Sequence, residues 1–182
     1  IVLDVGCSDS NLPVALAAHG FNVYGIDIRD YHIRNPTFKF VKGDVRRISF
    51  PEQFFDIVTA VSTIEHVGLP GRYGVSEEDN LGDRSAIGEI KRILKKNGKL
   101  ILTVPYGRPA TLKPWHRVYG RMNLKGLVRD FSIVKEEYFV KTQNGCWISV
   151  REIEASKVIP YIKVRAGRVI DHSYALACLV LA

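Results

Sequence analysis

Few folds accommodate the opening run Ile1-Val2-Leu3-Asp4-Val5-Gly6-Cys7-Ser8-Asp9-Ser10 together with an acid, Asp27, that closes the apolar run Val23-Tyr24-Gly25-Ile26, 21 residues after Gly6. An apolar strand ending in a tight glycine turn, a helix, and a second strand capped by a carboxylate form the first half of a nucleoside-binding α/β unit. The glycine lets backbone approach the ligand, and the carboxylate stands where it accepts hydrogen bonds from both ribose hydroxyls. Pro13 near the first turn and Gly20 just past the end bound the intervening helix, expected from Asn11 to His19.

The kind of nucleoside follows from what the turn lacks. A dinucleotide site wants further glycines and an unobstructed helix N-terminus for a pyrophosphate. Here Ser8 and Ser10 stand in their place, and Asp4 and Asp9 add negative charge. Carboxylates repel a diphosphate and suit an ammonium with a sulfonium, which favours S-adenosylmethionine over a nicotinamide dinucleotide.

Further along, Phe38 to Val41 alternates as a third strand after a loop holding Asn35-Pro36, and Phe54 to Val61 reads as a central parallel strand buried on both faces. Ser85 to Lys96 is an amphipathic helix with Ile87, Ile90, Ile93 and Leu94 on its core side, stopped by Asn97-Gly98 and feeding a strand from Lys99 to Val104. Strands are expected over Phe131–Phe139, Cys146–Ile153 and Tyr174–Leu181, with Gln143-Asn144-Gly145 as a turn. This pattern predicts an α/β, doubly wound, mainly parallel seven-stranded Rossmann-like sheet with an antiparallel C-terminal strand, helices separating the runs and covering both faces. One domain over residues 1–182 is expected, with a segment missing upstream because Ile1 already lies in a strand. Residues 67–84 are a long polar loop, read either as a lid over the ligand or as a disordered stretch.

Composition narrows the partners. The longest apolar stretch, Tyr174 to Ala182, is too short to span a bilayer, so no membrane is expected. Cys7, Cys146 and Cys178 are odd in number and widely spaced, which argues against disulfides or a metal site and for a reducing, cytoplasmic setting in which each is a small buried residue. The formal charge of +7 is spread over Arg29, Arg34, Lys39 and Lys42; Lys91, Arg92, Lys95 and Lys96; Arg117, Arg121, Lys125 and Arg129; and Lys163, Arg165 and Arg168. That scatter reads as solvated surface more readily than as a nucleic-acid face. A monomer or homodimer acting on a small molecule is expected.

With these residues placed, the chain resembles class I S-adenosylmethionine-dependent methyltransferases of the small-molecule, type 11-like kind. The resemblance rests on Val2-Leu3-Asp4-Val5-Gly6-Cys7, Gly25-Ile26-Asp27, Gly43-Asp44-Val45, Phe55-Asp56-Ile57-Val58, Glu65-His66 and Glu89 to Leu100. It implies that Gly6 lies under the cofactor, with Asp4, Cys7, Ser8 and Ser62 beside it. Asp27 would hold the ribose, with Ile28 also at the cofactor, and Asp44 and Val45 would flank the adenine, with S-adenosylhomocysteine as product. A narrower likeness, to a methyltransferase-like group of unassigned substrate, rests on Ser62 to Leu69, Gly71-Arg72-Tyr73-Gly74, Gly82-Asp83, Val104 to Gly107 and His116 to Gly120, with Pro70 as a departure.

Methyl transfer from a sulfonium needs alignment and dryness more than chemistry from the protein. An oxygen acceptor also has to lose its proton, and His66, just past the fourth strand on the carboxyl edge, is the expected base or acceptor-positioning residue, with Glu65 orienting it or the cofactor's methionine end. A histidine that only caps a helix beside the cofactor is the competing reading. Arg72, Tyr73, Asp83, His116, Arg117 and Tyr119 are expected to build an acceptor pocket for a sugar-like or carboxylated small molecule. The alternatives carried forward are a nucleic-acid methyltransferase, whose basic balance fits but whose Asn-Pro-Pro-Tyr-like tetrapeptide is replaced by Ser62-Thr63-Ile64-Glu65, and a non-catalytic module on the same fold.

Overall fold

The computed structural model describes residues 1–32 and 37–182, so Arg34 and the Asn35-Pro36 loop lie outside the described residues. The first βαβ unit forms as the sequence dictates: β1 (Val2–Val5), α1 (Leu12–Ala18) and β2 (Val23–Asp27). It continues through β3 (Lys39–Lys42), β4 (Phe55–Val61), α2 (Gly82–Ile93) and β5 (Leu94–Tyr106). The last third comprises β6 (Ala110–Leu112), β7 (His116–Val118), α3 (Arg121–Leu127), β8 (Ile133–Lys141), β9 (Trp147–Val150), α4 (Glu152–Ala155), β10 (Tyr161–Arg165), β11 (Arg168–Ser173) and β12 (Ala175–Leu181).

The main sheet has eight strands in the order β3-β2-β1-β4-β5-β12-β8-β9, one more than the seven expected. From β3 to β5 every pairing is parallel. The final strand, β12, inserts antiparallel between β5 and β8, and the hairpin partner β9 supplies the extra edge. Two short ribbons, β6-β7 and β10-β11, stand apart from this sheet.

Side-chain alternation decides which helix meets which face. Leu3 and Val5 on β1 join Val58, Ala60, Leu100 and Leu102 in a core closed by Ile87, Ile90 and Ile93 of α2 and by Leu124 and Leu127 of α3. Val2, Val23 and Cys7 face the other way and pack with Val14, Leu16 and Ala17 of α1. Helices therefore lie on both faces.

Three expectations are corrected. Helix α2 stops at Ile93, before Lys96, because buried Leu94 turns extended and pairs with Phe55, leaving residues 95–98 as an excursion before Lys99 pairs with Ile57. Nor do helices separate all the strands: the β3–β4 connection, residues 43–54, is irregular. Its backbone is satisfied from α2 instead, as Arg92 donates to the carbonyls of Ile48 and Phe50 and Glu89 accepts from the Ile48 amide. Cys7 is buried as expected, whereas Cys146 is exposed on a turn and Cys178 half-buried.

Candidate functional site

The carboxyl edges of β1, β2 and β4 open onto one cleft of about 500 Å³. At its floor the chain leaves β1 through Gly6, whose φ of +80° is left-handed, and a Cβ there would collide with the Thr63 side chain. Only glycine lets the turn after β1 and the turn after β4 share that space. Thr63 locks the approach by donating to the carbonyls of Val5 and Val61.

Asp27 ends β2 at the cleft wall, 6% exposed. Its Oδ2 accepts from the Ser8 amide at 3.0 Å and from Arg29 Nη2 at 3.1 Å, and its Oδ1 accepts from Arg29 N and Nε at 2.9 and 3.2 Å. Burial alone raises a carboxyl, yet these donors outweigh it and hold Asp27 below its ordinary range. The Arg29 guanidinium also donates to Asp9 at 2.6 Å and lies 4.5 Å over the Tyr73 ring. A similar local turn recurs at Asp44, which accepts from Arg46 N at 2.8 Å and from Nε and Nη2, while Nη1 reaches Asp79 at 2.9 Å.

Of the residues expected around the cofactor, Gly6, Asp27, Ile28, Asp44, Val45 and Ser62 line the cleft. Asp4, Cys7 and Ser8 lie beneath it, buried at 2%, 0% and 7% exposure. Asp4 accepts from Thr59 Oγ1 at 2.6 Å, its Oδ2 has no partner, and burial pushes it up to about 6. Sequence reasoning missed Arg29, Arg46, Thr63 and Val75 on the wall. The twice-repeated Asp-x-Arg at strand ends, Asp27-Ile28-Arg29 and Asp44-Val45-Arg46, was the signal for the two arginines.

The segment between β4 and α2 forms a defined wall. Gly68, at φ +80°, passes so close to the Asp79 carbonyl that a Cβ would collide with it, and Asp79 N donates to Gly68 O. Arg117 pins this wall from below: Nη1 donates to Val67 O at 2.7 Å and Nη2 to Asp79 O at 3.2 Å. Tyr119 donates to Asp83 Oδ2 at 2.9 Å in the interior. Arg117, Tyr119 and Asp83 are thus 9%, 4% and 7% exposed and hold the loop and α2 together, while the structure brings Tyr73 and His66 to the cleft itself.

His66 sits in a one-turn 3₁₀ helix, Ile64–His66. Its Nδ1 lies 2.5 Å from the Trp115 carbonyl, which can only accept, so Nδ1 carries the proton and Nε2 keeps a free lone pair. Burial lowers this ring to about 4, below the near-neutral value expected of a histidine base. Glu65, fully enclosed, is pushed up to about 8 by burial, and its Oε2 has no partner. The 3.8 Å contact between Glu65 Oε1 and His66 Nε2 is therefore between two uncharged groups near pH 7. His116 stands beside them, ring centroids 6.1 Å from His66, lowered by burial to about 4, with Nε2 buried and unpartnered. Arg72 stacks on Tyr73 at 4.5 Å and Trp115 at 5.3 Å and forms no ion pair among the described residues.

A family model described as a methyltransferase domain matches residues 3–102. A sterol 24-C-methyltransferase of Pneumocystis carinii is 30% identical over 110 residues, covering 53% of this chain and 26% of that protein. The chain thus spans about a quarter of that relative's length. A solved SAM-dependent methyltransferase from Methanosarcina mazei matches with a TM-score of 0.62 at 16% identity, over 98% of this chain and 91% of that one. A Burkholderia thailandensis 1,6-didemethyltoxoflavin-N1-methyltransferase, solved with 1,6-didemethyltoxoflavin and S-adenosylhomocysteine bound, matches at 0.60 and 15% identity, over 98% of this chain and 69% of that one. The two structures share the fold with this chain.

Proposed function

Since the chain belongs to the methyltransferase domain family, whose model covers more than half of it, we propose that it transfers a methyl group from S-adenosylmethionine to a small-molecule acceptor. The observation that carries this reading is the cleft: a glycine floor at Gly6, a carboxylate at the end of β2, and the uncharged His66 on the same wall.

The residues present fit the cofactor. Gly6, where Thr63 leaves room for no side chain, presents bare backbone to the cleft, and the unpartnered, buried Asp4 Oδ2 below it adds a negative field suited to a cation. Asp27 would hold the ribose and Asp44 with Val45 the adenine; reaching Asp27 requires Arg29 to yield its place. When bound, S-adenosylmethionine supplies a methyl group already activated by its sulfonium.

The protein's task is then to orient the acceptor and receive its proton. Nε2 of His66 accepts a hydrogen bond from the acceptor's hydroxyl or amine, its ring fixed by the Trp115 carbonyl through Nδ1. A ring lowered to about 4 is a weak base, which suits an acceptor whose proton is already acidic, or one that loses it as the methyl bond forms. Glu65 and His116 add no net charge to this pocket near neutrality, so Arg72 is the cation available to an acceptor carboxylate. This supports the carboxylated form of acceptor over the sugar-like one. A nucleic-acid substrate draws less support, because Arg29 and Arg46 at the cleft are committed to Asp9, Asp27, Asp44 and Asp79. Two of the similar proteins are named for small acceptors, a sterol and 1,6-didemethyltoxoflavin, and one, from Mus musculus, for a lysine of EEF1A.

Calorimetric titration with S-adenosylmethionine, S-adenosylhomocysteine and NADH tests the reading. Saturable binding of the first two and none of the third is expected. Absence of heat with either sulfur nucleoside would overturn it.

A further inference from the structure

The base of the wall between β4 and α2 is fixed by hydrogen bonds. Asp79 is tied there from three sides: its amide donates to Gly68 O, its carbonyl accepts from Arg117, and its carboxylate accepts from Arg46. The tip of the same wall, residues 71–75, closes on itself instead, with Gly71 N donating to Val75 O at 2.9 Å and Val75 N to Arg72 O at 3.1 Å. Among the described residues, Arg72 and Tyr73 are attached to the body by ring contacts and not by side-chain hydrogen bonds. Arg29 lies 4.5 Å over the Tyr73 ring, Tyr73 meets His66 edge-on at 5.4 Å, and Arg72 stacks on Tyr73 at 4.5 Å and on Trp115 at 5.3 Å. Tyr73 is left-handed, at φ +56°, a conformation that a non-glycine residue keeps only where its neighbours hold it.

One of those neighbours, Arg29, stands in the nucleoside position. The Asp27 carboxylate has about four acceptor sites. They are filled by Ser8 N and Arg29 N from the backbone and by Arg29 Nε and Nη2 from the side chain. A ribose diol brings two hydroxyls, and the two side-chain donors are the ones that can leave without breaking the turns after β1 and β2.

Building on the methyltransferase reading of the cleft, we propose that Arg29 and Tyr73 form a latch through which occupation of the nucleoside position opens the acceptor position. In the unliganded chain Arg29 holds Tyr73 against His66, whose side chain is 18% exposed, and Tyr73 shields that ring from an acceptor. With a ribose on Asp27, Arg29 keeps Asp9 alone, whose side chain is 68% exposed, and turns outward with it. Tyr73 then loses one of its two guanidinium partners and leaves His66, while Arg72 remains stacked on Trp115 beside the acceptor. The acceptor therefore enters after the cofactor. The lid expected over residues 67–84 narrows to the tip, because the base is pinned.

The test is limited chymotrypsin digestion of the full chain with and without saturating S-adenosylhomocysteine, following by mass spectrometry the cut between Tyr73 and Gly74. Loss of a cation–π contact corresponds to about a two- to thirtyfold rise in the population of the released tip. Cleavage tracks that population when the tip recloses faster than it is cut. S-adenosylhomocysteine should thus speed this cut by about two- to thirtyfold, whereas a ligand that merely covers the wall would slow it. Cleavage after Tyr161, on the exposed ribbon, should not change. Arg29→Ala should show the raised rate with no ligand and less than about a twofold further change on adding it. Tyr73→Phe keeps the ring and a cleavage site, so it should repeat the wild-type response. An equal or slower cut with S-adenosylhomocysteine bound, or an Arg29→Ala chain cut no faster than wild type, overturns the latch. If S-adenosylhomocysteine gives no heat in calorimetry, the methyltransferase reading falls and takes the coupling with it, and ligand-free digestion of Arg29→Ala still decides whether Arg29 holds the tip.

Discussion

Asp27→Asn isolates the contact on which the proposed cofactor recognition depends. The substitution keeps the shape of the side chain and removes the charge that now accepts from Ser8 N and from three donors of Arg29. If ribose hydroxyls take Arg29's place on this carboxylate, the bound state loses charge-assisted hydrogen bonds worth about 1.5–3 kcal/mol, a weakening of roughly 10- to 150-fold. Arg29→Ala should act in the opposite direction. Arg29 has 30% side-chain exposure, and removing it frees Asp27 at the loss of a partly solvated ion pair worth about 0.2–1 kcal/mol, so S-adenosylhomocysteine should bind up to roughly fivefold tighter. Calorimetric titration of the wild-type chain, both single variants and the double variant measures each value and their coupling, with thermal melting as a check on folding. Weakening of less than about threefold in Asp27→Asn would refute the ribose assignment. Weakening by Arg29→Ala as large as that by Asp27→Asn would show that Arg29 holds the nucleoside rather than competing with it.

Other expectations follow from the same geometry. Gly6→Ala puts a methyl against Thr63 at φ +80°, so it should destabilise by roughly 1–3 kcal/mol in chemical denaturation and abolish measurable cofactor binding. His66→Ala should lower turnover of an identified acceptor about 100-fold while S-adenosylhomocysteine affinity in calorimetry stays within twofold, and the wild-type rate should stay level from pH 7 down to about 5, because over that range a ring lowered to about 4 stays uncharged and Glu65, raised to about 8, keeps its proton. Rates that fall through pH 6.5 would contradict this. Glu65 binds its proton more tightly folded, at about 8, than unfolded, near 4.5, so ionisation opposes folding increasingly as pH rises between those values. Glu65→Gln should therefore gain stability over the wild type as denaturant melts move from pH 5 to pH 8, and parallel pH profiles would contradict the burial argument. For His66 and His116 the sign is reversed: both are lowered, so the stability they confer is complete above about 6.5 and is lost as pH falls toward 4.

Local pattern carried much of this protein. The glycine turn and the strand-ending Asp27 are fixed by chain geometry over fewer than thirty residues, so period, turn chemistry and spacing sufficed to read the βαβ unit and the residues of the cleft at its carboxyl edge. The face of α2 was legible for the same reason, since Ile87, Ile90 and Ile93 repeat at helical spacing. What the sequence did not reveal depended on partners distant along the chain. The early end of α2 follows from Leu94 finding Phe55, and the missing helix between β3 and β4 from Glu89 and Arg92 satisfying another segment's backbone. Arg117 and Tyr119 read as pocket residues because arginine and tyrosine recognise ligands, yet the fold buries both against the wall and α2, more than 30 residues away in sequence. The value of His66 likewise came from enclosure: composition supplies a ring that titrates near neutrality, and only the packing of the neighbouring wall, with the Trp115 carbonyl, decides which nitrogen is free and how weak a base it is.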